Sequence, residues 1–581
     1  MSGPDAHNES VNPAELTEAE QLLWKAFPRG AWVDLGRSPD GKPSVIRAEV
    51  LSALLLGAVT AEPGSTAGIR LRGATVVGPL DLTGGTAAQP LVCEGCAFDT
   101  ELSFVDGSVR TVRIVDSELP GLDATRLRLD GILDLTGSSI AGCVRLEHAK
   151  VSGQLRMRSS RVGAGSEAVA ATGLSVDGDV DCSRMEARGG LTFPSANVVG
   201  TLDLTGTRIT SPGGRGLVLS HATIGGKLEC PNLAVTGETR ANNCRVGAQV
   251  SMSAARLHNP GKVAFFAGGL TVVGGAFFRG VSATGEFRLI GAHLAANLTL
   301  SGGTFDNPGG VAVNLEGAVV ASVYGDGLTC HGQWSMIGAT INGDVNLARA
   351  VLAVPEGACA LNAERAQIDG TLVQGARVEG GVDLRHAAIG VLHDDPVGWP
   401  DHLYLDGLTY QTLYPRLPAG QRLSWLARDP GGHQPQPYEQ LAAHYTAIGQ
   451  PAQARDVLYA RERIQRRGKG PASRTWSLLQ DITVGYGYRP RRALGWLALL
   501  LAAGSIVFSV APPPVLASGS APHFIGLVYT LDLMLPVVNL GQKYAFNPGG
   551  AEQWLSYFLI AAGWTLATTV AAGLARVLRR G

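Results

Sequence analysis

Residues 131–161 read GILDLTGSSIAGCVRLEHAKVSGQLRMRSSR, three copies of one eleven-residue unit. Each copy has a glycine, a spacer and an apolar pair two residues apart: Gly131/Leu133/Leu135, Gly142/Val144/Leu146 and Gly153/Leu155/Met157. A small residue follows (Ser138, Ala149, Ser160), then a β-branched one (Ile140, Val151, Val162). With the first apolar residue as zero, apolar or small residues fall at 0, +2, +5 and +7. Two such pairs describe two short strands, because alternate residues of a strand share a face. The step of three between the pairs is a corner, and glycine or another small residue suits a corner.

The triplet returns at Val180/Leu191/Leu202, Leu228/Thr239/Val250, Ala276/Phe287/Leu298 and Val323/Trp334/Val345, and Leu372 and Val382 open a sixth. Triplets recur every 47 to 49 residues, so three short units alternate with one long one. Two units close a coil of about 22 residues, and stacked coils make a solenoid. The predicted fold is mainly β: a four-sided, pentapeptide-like, right-handed β-helix of roughly 14 coils, followed by a short helical segment and two transmembrane helices. A helical repeat is excluded, since no apolar run keeps i, i+3, i+4 spacing and the chain holds 77 glycines.

The expected divisions are a helical N-terminal cap (1–65), the β-helix (66–392), a closing segment (393–436), a helix pair (437–467), a juxtamembrane segment (468–492) and a two-span anchor (493–581). In the cap, residues 15–27 and 44–56 have helical spacing, with Thr17 and Ser44 as N-caps. In the helix pair, Leu441, Tyr445 and Ile448 form one apolar face and Ala452, Ala454 and Leu458 the next, with Gly449 as the break.

Charge is balanced, 48 basic residues against 49 acidic, which offers no basis for nucleic-acid binding. Residues 1–19 are polar and acidic rather than a signal peptide, so the eight cysteines are expected as free thiols. Cys93-Glu94-Gly95-Cys96 matches a CxxC half-motif, but both cysteines fall at inward positions, as do Cys182, Cys230 and Cys244; small core residues explain all five. The Leu-Asp-Leu acids Asp81, Asp134 and Asp203 sit at +1, where Arg145, Arg156 and Arg288 also occur, and read as a solvated face. No catalytic residue, metal ligand or cofactor site stands out.

The long units carry loops at 163–170, 211–216, 259–263, 307–310 and 354–358. Three of them hold turn signals, Ser211-Pro212, Asn259-Pro260 and Asn307-Pro308, each followed by glycine. The period stacks them on one edge, a candidate binding face.

Residues 493–510 and 554–575 are free of charge and long enough to cross a bilayer. Arg489, Arg491 and Arg492 precede the first, Arg576, Arg579 and Arg580 follow the second, and residues 511–553 hold a single basic residue, Lys543. The positive-inside rule then places both chain ends and the β-helix on the cytosolic side of the cell membrane. Between the spans, residues 524–538 are apolar and contain Asp532, a candidate functional residue if it lies within the membrane and a solvated interfacial acid otherwise. Residues 483–487 spell the potassium-filter string TVGYG, but no span precedes it and arginines follow it, so it reads as a turn leading into the membrane.

The LDLTG units at Leu80, Leu133 and Leu202, YEQLA (438–442), DITVGYGYRP (481–490) and AGWTLATTVAAGLARVLRR (562–580) resemble a family of actinobacterial two-span membrane proteins with a pentapeptide-like β-helix. Some members of that family carry the label membrane-associated oxidoreductase, so the resemblance implies that activity as one reading. The unit here is eleven residues long, unlike the five-residue A(D/N)LXX repeat. The residues themselves favour a membrane-anchored scaffold that binds a protein partner or self-associates. A pore or sensor gated by the β-helix is the other reading.

Overall fold

The computed structural model describes residues 12–36, 44–163, 165–395, 398–432, 434–465, 481–483, 490–516, 522–535 and 538–578. It divides into two compact units, Met1–Arg416 and Leu417–Gly581.

The first unit is a parallel β-solenoid of about 16 turns. Four strand ladders run its length, and every strand pair in them is parallel. The first ladder aligns Ile69, Leu91, Val112, Leu133, Leu155, Val180, Leu202 and Leu228. It continues through Val250, Ala276, Leu298, Val323, Val345, Leu372, Leu392 and Leu413. All of these side chains are buried. The repeat's marker residue is thus the inward rung of one wall. The middle member of each triplet (Val144, Leu191, Thr239, Phe287, Trp334) is the inward rung of another ladder. The 48-residue period is two turns, with an insertion in every second one.

The ladders extend beyond residue 392. Leu413 adds a rung past the predicted end, and strands Leu403–Tyr404 and Thr409–Tyr414 lie inside the expected closing segment. A loop masks them in the apolar spacing, held by the Trp399 indole, which donates to Asp394 at 2.6 Å.

Glycine at −2 has a reason other than corner geometry. Gly131, Gly142 and Gly153 keep negative φ, whereas the left-handed corner falls at +4, on Gly137, His148 and Ser159. Glycine is needed at −2 because successive turns touch there. A Cβ on Gly142 would lie 2.6 Å from the Pro120 carbonyl, and one on Gly178 2.6 Å from that of Gly153.

The interior is filled by the inward rungs. In the middle turns it is aromatic: Phe287 stacks on Phe265 at 4.7 Å and meets the edges of Phe278 and Phe305 at 5.1 and 5.2 Å. Leu133, Leu202 and Phe287 are all sealed from solvent.

The N-terminal cap mixes helix and strand. Helix α1 (Glu18–Ala26) starts at Thr17, the expected N-cap, which forms a capping box with Glu20. Ser44 is no N-cap: Ser44–Arg47 is a strand paired with residues 74–77, and α2 (Ala48–Leu55) begins after it. The β-branched Val45 and Ile46 follow their pairing with the first turn rather than the helical spacing of what comes next. Val33–Asp34 also pairs with the first turn, so strands as well as helices cover that end. Burial works against a charged Glu20, yet bonds from the Arg47 side chain and backbone and from Thr17 hold its carboxyl down at about 2. Its folded pKa is depressed, so its stabilisation is complete above the usual 4.5 and is lost as pH falls toward 2. Hydrogen exchange of α1 should accelerate across that window, and Glu20→Gln should flatten the dependence.

The second unit opens with α3 (Ala419–Leu426), which packs on α5 (Pro451–Gln465). α4 (Pro435–Ala447) and α5 form the expected helix pair around Gly449, whose φ is +76°. Leu441 and Tyr445 face inward, in line with the apolar spacing; on α5 the inward residues are Ala454, Val457 and Tyr459, while Ala452 is exposed. Next come α6 (Pro490–Val510), α7 (Gly526–Met534) and α8 (Ala551–Leu578), packed on one another. Among the described residues one helix, Arg492–Val510, is long and apolar enough to cross a membrane. The expected second span at 554–575 falls on α8, part of whose side chains lie outside the described residues.

Candidate functional site

Ser211 and Pro212, Asn259 and Pro260, and Asn307 and Pro308 do line up on one edge, but within strands. They belong to Arg208–Val218, Arg256–Phe266 and Thr304–Asn314, each bulged where the insertion occurs. The Asn259 amide donates to the Val263 carbonyl at 2.7 Å and that of Asn307 to Val311 at 2.8 Å, closing each bulge on itself. The intervening turn brings a glycine with positive φ: Gly237, Gly285 or Gly332. A Cβ on Gly285 would sit 2.5 Å from the Asn259 carbonyl, and one on Gly332 2.6 Å from that of Asn307. The edge is therefore a packed seam, bulge against glycine, with the prolines exposed on its crest. The recurrence of those glycines after 48 and 47 residues is the sequence signal for it. Of the other expected loops, 163–170 and 354–358, residue 164 lies outside the described residues.

Asp532 is fully buried, not solvated. Its carboxylate accepts backbone N–H bonds from Leu540 at 2.8 Å, Gln542 at 2.9 Å and Lys543 at 2.8 Å. Gln542 in turn donates to the His523 carbonyl at 3.0 Å and accepts from Ile525 N–H at 3.4 Å. The acid ties the loop after α7 back to the helix, and Gln542 ties the same loop to the start of α7. Around them Phe508, Tyr529, Leu533, Met534, Phe546 and Leu559 form an apolar core. At the start of α6, Arg492 donates to the Asp481 carbonyl at 2.9 Å, and the Tyr459 hydroxyl donates to the Asp481 carboxylate. Of the filter-like string, Thr483 is described and residues 484–487 lie outside the described residues.

Six of the eight cysteines are core residues, and Cys143 and Cys359 are half-buried. Cys93, Cys96, Cys182, Cys230, Cys244 and Cys330 are buried and free. The bond to Cys96 and burial both push the Cys93 thiol up, while burial pushes Cys244 and Cys330 up to about 12. These three thiols, held protonated, are poor nucleophiles, whereas the bond with Cys93 lowers Cys96. Among the described residues, no three His, Cys, Asp or Glu side chains gather as a metal cage.

The concavity that sequence reading misses is on the first ladder's outer face. A groove of about 480 Å³ has Arg113, Asp134, Gln154, Arg156, Asp179 and Asp181 among its lining residues. The +1 residues are expected to be solvated, but Asp134 is only 3% exposed. Neighbouring rungs cover it: Arg113 lies 3.4 Å from its carboxylate on one side, and Arg156 is the next rung on the other. Arg156 places two guanidinium nitrogens on the Gln154 amide oxygen, at 2.9 and 2.5 Å. Asp181 accepts from the backbone and hydroxyl of Ser183.

No protein-family model matches this sequence, and no curated protein does.

Proposed function

We propose that this protein is a membrane-anchored scaffold: a right-handed β-helix carried on the cytosolic side by two spans, α6 and α8, with both termini cytosolic. The observation that carries the reading is the outward face of α6. Leu494, Leu499, Ile506 and Val510 are each more than half exposed, and α8 adds Trp554, Tyr557, Phe558 and Trp564. Two helices that present this much apolar surface need lipid or protein against it. Their packing on α7 also suits a bilayer, where small residues let helices approach. A Cβ on Gly504 would lie 2.5 Å from the Thr530 methyl, and Gly563 abuts the Met534 backbone. Arginines at 489, 491, 492, 576, 579 and 580 supply the cytosolic signal at both ends. The pentapeptide-like wall supports a scaffold because it offers a long regular surface whose polar side chains mostly bond their own neighbours.

The full chain is expected to stay in the membrane fraction through an alkaline carbonate wash and to leave it with detergent. A cysteine placed near residue 580 should be labelled by an impermeant maleimide only after the membrane is opened. Release by carbonate, or labelling of intact cells or spheroplasts, would overturn the anchor or its orientation respectively.

A further inference from the structure

We infer that the first ladder's outer face pairs with the same face of a second copy of this chain, antiparallel, about a two-fold axis through the centre of the groove. The inference deepens the scaffold reading by naming its partner.

Strand pairing fixes the outward rungs as Arg70, Val92, Arg113, Asp134, Arg156, Asp181, Asp203 and Glu229. A two-fold axis lying in the face and across the rod reverses the order of rungs and keeps each column opposite itself. With the axis between Asp134 and Arg156, Arg113 meets the second copy's Asp181 and Arg70 meets its Glu229, while the second copy's Arg156 lies over Asp134, which its own neighbouring rungs cover. Val92 meets Asp203. Every charged rung but Asp203 finds the opposite sign.

The flanking columns pass the same test. On one side Thr111 meets Asp179 and Ile132 meets Gln154; on the other Thr136 meets Arg158 and Glu94 meets Thr205. No like charges face each other in the three columns. The groove is an independent sign of the same centre, since its lining rungs are Arg113, Asp134, Arg156 and Asp181, two on each side of that axis. It leaves room for the long arginine side chains of the opposing copy.

A second copy also matches the spacing. Both walls step by about 4.8 Å per rung, so register gained at the axis is not lost along the face; a helix, at about 5.4 Å per turn, drifts out of step. The three columns over eight rungs cover on the order of 500 Å² per copy, the size of a transient contact held by charge. Dimerisation is therefore expected to weaken as salt rises.

Charge reversal tests this in the full chain, by sedimentation velocity in detergent at low salt. Arg113→Glu places two acids against each other, the introduced glutamate facing Asp181 of the other copy, and Asp181→Arg likewise places the introduced arginine against Arg113. Each variant alone should raise the dimer dissociation constant by about 100-fold. An equimolar mixture of the two variants should restore the dimer, because the glutamate introduced in one chain then meets the arginine introduced in the other, while the untouched Asp181 of the first meets the untouched Arg113 of the second. Both positions point outward, and circular dichroism melts of each variant check folding. A monomeric wild type, a dimer indifferent to Arg113→Glu, or a mixture that stays monomeric overturns the pairing. None of these outcomes touches the carbonate wash, so the pairing can fail while the membrane anchor stands.

Discussion

Phe287→Ala is expected to destabilise the solenoid by about 3–5 kcal/mol, the largest effect of any single substitution in its wall. Phe287 is fully buried and lies at the centre of an aromatic cluster with Phe265, Phe278 and Phe305. Its strand is clamped between two bulged strands, Arg256–Phe266 and Thr304–Asn314, so the walls are poorly placed to collapse into the cavity. In a stacked solenoid each turn touches only its neighbours. The loss should therefore weaken the coupling between turns on either side as well as the turn itself. Calorimetry is expected to show the β-helix transition shifted down and split into two parts. Phe287→Leu, which refills much of the volume, should cost much less and keep one transition. A single unshifted transition for Phe287→Ala would mean that these aromatics contribute little beyond occupying space.

Asp532→Ala is expected to rank second, at about 3 kcal/mol or more. The substitution leaves three backbone N–H groups, of Leu540, Gln542 and Lys543, without their acceptor. Asp532→Asn keeps the shape and one carbonyl oxygen, so it should retain part of the loop. Limited proteolysis in detergent reads this directly: cleavage at residues 538–545 should rise steeply for Asp532→Ala and modestly for Asp532→Asn. The same pair of variants weighs the pore reading. An acid that lines an ion path should change conductance in a planar bilayer when neutralised, even where the loop stays protected. An acid that only ties down a loop should change protection first.

The repeat is readable because its two demands coincide in sequence: small strands with alternating burial, and an unchanging number of residues per turn. Leu133, Leu202 and Phe287 are inward because strand pairing admits no other register once their neighbours are fixed. What cannot be read is anything set by stacking between turns. Gly142 suggests a corner, yet its reason is the Pro120 carbonyl one turn below. Ser211-Pro212, Asn259-Pro260 and Asn307-Pro308 suggest open loops, because the glycines that receive the bulges lie more than twenty residues onward. Asp134 looks solvated because the arginines that cover it sit 21 and 22 residues away in sequence, on the adjacent rungs. Asp532 looks interfacial because its partners are main-chain amides, which have no signature in a sequence. The apolar helices are legible from composition, but α7, nine residues between two long helices, is not, since its sealing depends on packing rather than on length.

The alternation of plain and bulged turns makes two turns, rather than one, the unit in which this wall can grow or shrink. Removing one turn would set a bulge against a bulge, or a glycine against a glycine, and break the seam. Removing 48 residues, for instance 209–256, would rejoin like with like and shorten the stack by about 10 Å while leaving both ends as they were. Length is thus adjustable in fixed increments, and the protein carries a built-in gauge for the distance between whatever its two ends hold.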